Sequence, residues 1–243
     1  MGAAAQGEKR RYIMRADADR DEILRRVRTA VANPALAADR KRPPVAVDPG
    51  LPGRGLLARW QEEFAALDGH AYGPVTPAAA VSQTVALLAA RGATAVAAWA
   101  DHALPTPDFG QALAAAGIEV IHTRPQTQAD ALSRAQLAQA PVGITAALAG
   151  LADTGSLVVT SGPGQARAAS LVPPVYLAFL RTHDIYPNLP AWMARQGAEL
   201  LPQTANLTII TGPSRTADIE LTLVVGVHGP GEIHVILIDP EAR

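Results

Sequence analysis

The chain has 243 residues, 49% of them hydrophobic, with a formal net charge of −1 and no cysteine. The missing thiols exclude disulfides, a thiolate nucleophile, an iron–sulfur cluster and a cysteine zinc site within this chain. The only lysines are Lys9 and Lys41, which removes P-loop, Schiff-base and kinase-type lysines from everything after residue 42 and leaves anions to arginine or backbone N–H groups.

Residues 1–42 hold 11 of the 21 Lys and Arg and only 6 of the 22 Asp and Glu, so they form a basic extension on an acidic body. Within it, Asp17 to Ala32 places acids early and arginines late, with Ile23, Leu24, Val27 and Val31 on one stripe. That is the pattern of an amphipathic helix docking on its own body or on a partner subunit. Aromatic residues are 4% and are not interleaved with the arginines, which argues against nucleic acid. Residues 43–75 read as a linker, rich in Pro, Gly and Arg from Pro34 to Gly55, followed by a short helix from Trp60 to Leu67. No apolar run approaches the ~20 residues of a membrane span, and the start lacks the order of a secretory signal, so a cytoplasmic protein is expected.

The α/β domain is expected over residues 76–243. Thr76 caps a helix with Pro77 at its first position, ending at Arg91-Gly92; Thr94 to Trp99 is a buried strand; Asp108 caps a helix that Gly117 closes; Ile118 to His122 is the next strand. Gln126 to Gln139 reads as a helix and Val142 to Thr145 as a strand. Ser156 to Thr160 and Val175 to Leu180 are strands with no room for a helix between them, which implies antiparallel pairs. Asn188 to Gln196 is helical. Leu207 to Thr211, a helix opening near Thr216, and Ile233 to Ile238 then read as a β-α-β unit. The expected architecture is a three-layer α/β/α sandwich with a mixed, mostly parallel sheet and an N-terminal helical extension.

Two turn regions carry the candidate chemistry. In the first, Gly212 permits close backbone approach, Ser214 and Thr216 offer hydroxyls and Arg215 a planar fork of donors, at what reads as a helix start. That is an anion cradle, though Thr216 with Asp218 and Glu220 is equally how an ordinary helix is capped and charged. His228, between Gly226 and Gly229, is close in sequence and is the candidate for proton chemistry, with Asp218 beside it. In the second region, Thr154 and Gly155 introduce a strand, and Gly162 and Gly164 at its far end precede Arg167 and Ser170. This could wrap a carboxylate or phosphate, or be a plain hairpin. His70, His102, His122, His183 and His234 are scattered without the short spacing of metal ligands, so no metal site is expected. Asp101-His102 follows a strand and is a secondary candidate.

The stretches TGPSRTADIE and GVHGP, with the final hydrophobic strand, together with ADTGSLVVTSGPGQARAASLVPP, resemble the LUD-domain family, in particular its lactate utilization protein C or YkgG-like group. The resemblance covers roughly residues 75 to 239. It implies a sheet related to the NagB/RpiA/CoA-transferase fold and functional roles for the glycine turn, Arg167 and Ser170. Tyr176 stands where the family often has histidine. The implied function is a component of a system that oxidises L-lactate to pyruvate with iron–sulfur partner subunits, binding a small anionic ligand at the Gly/Arg-rich turns. A stand-alone enzyme acting on a sugar phosphate or an acyl-CoA, and a non-catalytic scaffold subunit, are the alternatives. No redox cofactor is indicated.

Overall fold

The computed structural model describes residues 19–29, 32, 53–122, 137, 139–204, 206–217 and 223–242. It divides into two units, Met1–Ala46 and Val47–Arg243. In the first, residues 19–29 are helical (α1), and Glu22 pairs with Arg25 and Arg26, both at 2.7 Å.

The second unit is organised on a six-stranded sheet in the order β1-β12-β7-β4-β2-β3, formed by His70–Val75, Glu232–Ile238, Val175–Arg181, Val142–Ala146, Ala95–Ala98 and Glu119–His122. All five pairings are parallel. Strands covered on both faces read as near-continuous apolar runs, and β12 fits: from Ile233 to Ile238 every residue is buried and all but His234 are apolar. Each such aliphatic side chain contributes about 1.5–3 kcal/mol on leaving water.

Four further strands form a second sheet, β8-β5-β6-β9: Ile185–Tyr186, Ala149–Leu151, Ser156–Ser161 and Asn206–Ile210. The antiparallel pairs expected from sequence lie here, as β5 with β6 and β6 with β9. β6 and β7 nevertheless belong to different sheets, because the segment between them crosses over β4 and β7 as a 3-10 turn, Arg167–Ser170. A two-stranded hairpin, β10 (Arg215–Ala217) with β11 (Leu223–Val225), completes the strands among the described residues. The class is α/β with a mixed, mostly parallel set of strands, as a three-layer sandwich requires.

Helix α2, Gly53–Ala66, stacks Trp60 on Phe64 with ring centroids 4.7 Å apart and both rings buried. The sequence places its start seven residues later, at Trp60. Two glycines admit the helix. A Cβ at Gly155, where φ is +62°, would lie 2.5 Å from the Phe64 backbone N, and one at Gly150 would meet the Trp60 ring at 3.0 Å. Trp60 Nε1 donates to the Ser156 carbonyl at 3.1 Å. Helix α3, Pro77–Ala90, starts as the sequence indicates, with Thr76 Oγ1 accepting from Ala79 N at 3.3 Å, and buries Ala80, Thr84 and Leu88 four residues apart.

Helix α4 spans Phe109–Ala115, but Asp108 does not cap it; Asp108 adopts a left-handed conformation without a side-chain bond. Asp101 replaces it, its Oδ2 accepting from Gly110 N at 3.1 Å. Helix α5, Leu189–Trp192, is capped by Asn188 and runs into a π-turn over Met193–Gly197. The helix expected from Gln126 to Gln139 lies almost wholly outside the described residues, as does most of the Pro-, Gly- and Arg-rich stretch from Pro34 to Gly55.

The largest departure is at the carboxyl-terminal end. β9 and β12 do not make a β-α-β unit: they sit in different sheets, and Thr216 pairs with Val224 in a hairpin where a helix start was expected. The apolar residues after Arg215 satisfy strand pairing as readily as a helix face, and sheet pairing prevails here.

Candidate functional site

β2, β4 and β7 are adjacent and parallel, so their carboxyl ends open on the same edge of the sheet. At that edge lies a cavity of about 290 Å³. After β2 the chain leaves through a 3-10 turn, Asp101–Ala103, that brings His102 to the wall. After β4 come Ala146, Ala147 and Leu148; β7 supplies Phe179 and Arg181, and the turn after it Asp184. Gln196 enters from the π-turn, its Nε2 donating to Tyr186 Oη at 2.8 Å. Widened turns of this kind recur at functional sites. The cavity therefore joins an apolar wall to an arginine, a histidine, a carboxyl and an amide. Burial raises the Asp184 carboxyl above its ordinary pKa, with His183 and Arg181 acting the other way.

The residues expected from sequence fall in two places, at opposite ends of β6. Five residue steps of strand separate them by roughly 17 Å. At the far end, the Gly162–Gln165 turn is closed by reciprocal backbone bonds, Gly162 N to Gln165 O at 3.2 Å and Gln165 N to Gly162 O at 2.9 Å. It docks on the end of β2: Ala100 N donates to Gly164 O at 2.9 Å and Trp99 Nε1 to Ala166 O at 3.2 Å. Gly164, with φ +73°, faces the His102 ring. Arg167 is exposed nearby, and buried Ser170 closes its own turn by donating to Arg167 O at 2.9 Å.

At the near end, Thr154 and Gly155 meet Gly212, Ser214 and Arg215 around the end of α2. Thr154 Oγ1, Ser156 Oγ and Thr211 Oγ1 form a chain of hydroxyls at 2.7 and 2.8 Å. Gly212 lies against Leu67, and Arg215 bonds the Leu67 carbonyl at 3.1 Å and pairs with Asp68. The Arg215 guanidinium thus has internal partners. His228 meets Ser214 through its backbone, His228 N donating to Ser214 Oγ at 3.4 Å. Thr216 lies in β10, and Asp218 is outside the described residues.

Sequence reasoning flagged His102 but missed Arg181, Asp184 and Gln196. Arg181 is the last residue of a buried strand and Asp184 lies three residues on, a placement that signals a sheet-edge site once the strand is known to be parallel. Tyr176 is fully buried and shares a 2.7 Å hydrogen bond with Thr145; burial holds the phenol un-ionised, with the Thr145 bond acting the other way. Two histidines that read as scattered, His70 and His234, adjoin each other at the opposite edge with Glu232, a grouping of metal-type ligands.

A parallel sheet flanked by helices, with a polar-lined cavity at the strands' carboxyl ends, defines an α/β domain of the open-sheet class. The chain belongs to the LUD domain family, whose model matches residues 57–238. It is 41% identical over 105 residues to lactate utilization protein C of a Geobacillus species, a match that takes in 41% of this chain and 43% of that protein. It is 38% identical over 120 residues to the uncharacterized protein YkgG of Escherichia coli, 47% of this chain and 50% of that one. The chain thus spans no more than half the length of these curated relatives. A crystal structure of a DUF162 family protein from Deinococcus radiodurans superposes with a TM-score of 0.54 at 18% identity, over 78% of this chain and all of that one, and supports the fold. Among the described residues no helix is long and apolar enough to cross a membrane.

Proposed function

We propose that the protein is a component of a lactate-utilization system and binds a small hydroxy- or keto-carboxylate in the cavity at the carboxyl edge of the sheet. The observation that carries this reading is the placement of Arg181 at the end of a buried parallel strand, opening on a 290 Å³ cavity whose other polar groups are His102, Asp184 and Gln196. The names of the relatives supply the substrate class.

In this reading Arg181 holds the carboxylate with two parallel N–H donors. His102 faces the C2 oxygen and takes its proton, and the apolar wall of Ala146, Ala147 and Phe179 receives the methyl group. Oxidation of L-lactate to pyruvate removes the C2 hydrogen as well as the hydroxyl proton, and the acceptor for that hydrogen and the two electrons would be supplied by iron–sulfur partner subunits, since this chain has no cysteine to hold a cluster. The Gly162–Gly164 turn belongs to the site through His102, with Arg167 beside it. The Gly212–Arg215 turn is given a structural task, holding the end of α2.

The test is calorimetric titration of the purified chain with L-lactate, pyruvate, phosphate and sugar phosphates. Binding of the two carboxylates, weakened at least tenfold by Arg181→Gln, supports the reading. Binding of sugar phosphates alone would overturn it.

A further inference from the structure

The amino-terminal edge of the same sheet carries a second constellation, remote from the cavity. Val175 and Arg181, at the two ends of β7, are separated by six residue steps, roughly 20 Å. Val175 pairs with Glu232, and Arg181 lines the cavity.

We propose that His70, Glu232 and His234 form a binding site for a divalent transition-metal ion of the zinc type. β1 and β12 are paired in parallel with His70 directly opposite His234, and their rings stack at 4.9 Å. Glu232 lies two residues before His234 on the same strand, hence on the same face. The three side chains offer ligand atoms that all lie within 4.8 Å of one another. Nitrogen and carboxylate oxygen are the donors such an ion takes, and a His2Glu set leaves a position for water or a ligand.

The hydrogen bonds around His234 leave one ring nitrogen, Nε2, on the side of Glu232 and His70. Tyr72 Oη occupies His234 Nδ1 at 2.9 Å, which leaves Nε2 as the free ring nitrogen and fixes the ring as an outer-shell partner does in metal sites. Nε2 faces two groups at once, Glu232 Oε1 at 2.5 Å and Arg91 Nη2 at 2.8 Å. With Tyr72 donating to Nδ1, Nε2–H donates to Glu232, and Arg91 donates to the same carboxylate.

An ion bonded to His234 Nε2, Glu232 and His70 would take the place of the Nε2 proton. Arg91 is the competitor: it is the C-cap residue just after α3 and is partly exposed, so its side chain can turn to solvent when the ion enters. His70 is exposed and provides the entry side. A 10 Å³ cavity against Arg91 and His234, about the volume of one water probe, adjoins the site.

The experiment uses the full chain, freed of metal with a chelator, titrated with Zn²⁺ by calorimetry and with Co²⁺ by its visible absorption. The expected result is one ion per chain, weakened at least tenfold by His70→Ala and by Glu232→Gln and strengthened by Arg91→Gln. His70 is exposed and Glu232 half-exposed, so both variants should fold, which thermal melts verify. Absence of binding in both the wild type and Arg91→Gln overturns the proposal. So does binding that neither His70→Ala nor Glu232→Gln weakens, which would put the ion elsewhere.

Discussion

Gly164 lies so close to His102 that a Cβ at position 164 would stand 2.9 Å from the ring's Cε1. The glycine turn after β6 is thus the back wall of the histidine after β2. Gly164 also has φ +73°, so alanine there adds about 1–2 kcal/mol of left-handed strain. Gly164→Ala is expected to lower thermal stability by a few degrees, turn the His102 ring and weaken carboxylate binding. A melt together with a titration checks this; a variant that melts lower but binds normally would dissociate the turn from the site.

Gly155 gives the contrasting case. Its Cβ would meet the backbone of α2, which cannot rotate away as a ring can, and its φ is +62°. Gly155→Ala should cost about 2–5 kcal/mol, the sum of backbone strain and overpacking. The cost appears in denaturant midpoint, with ligand affinity of the remaining folded protein unchanged.

Asp184 makes binding pH-dependent. Burial raises its carboxyl pKa in the folded chain, so the native state holds its proton to higher pH than the unfolded chain does. The associated stability is fully present below the ordinary aspartate value of about 4 and is lost as pH rises through the raised folded value. In the same window the neutral carboxyl becomes a negative charge beside an incoming anion. Carboxylate affinity should therefore strengthen as pH falls through that window, and Asp184→Asn should flatten the profile. Titrations at several pH values measure it.

Much of the fold is legible in the sequence because buried parallel strands leave unbroken apolar runs: β2, β4, β7 and β12 all read directly, as does α3 through Thr76 and Pro77. β1 was illegible because Gly73 and Pro74 interrupt it, and with it went the position of His70 beside His234. The hairpin from Arg215 was illegible for the opposite reason: Ser214, Thr216 and the acids that follow mimic a helix start, while the pairing that decides the matter is made with residues 223–225. Arg181, Asp184 and Gln196 carry no local motif. They meet His102 only through the parallel register of β2, β4 and β7, which no short stretch of sequence contains.

Arg215 separates the two ends of β6 as sites. It pairs with the exposed Asp68 and with the Leu67 carbonyl, so Arg215→Ala should cost about 1 kcal/mol or less and leave carboxylate affinity within twofold.

The most direct measurement is the L-lactate dissociation constant of the wild type beside those of Arg181→Gln and Arg215→Ala. Affinity lost in Arg181→Gln and kept in Arg215→Ala is the result predicted for a ligand at the carboxyl edge of the sheet. Affinity kept in Arg181→Gln and lost in Arg215→Ala would contradict that placement and move the site to the turn beside α2.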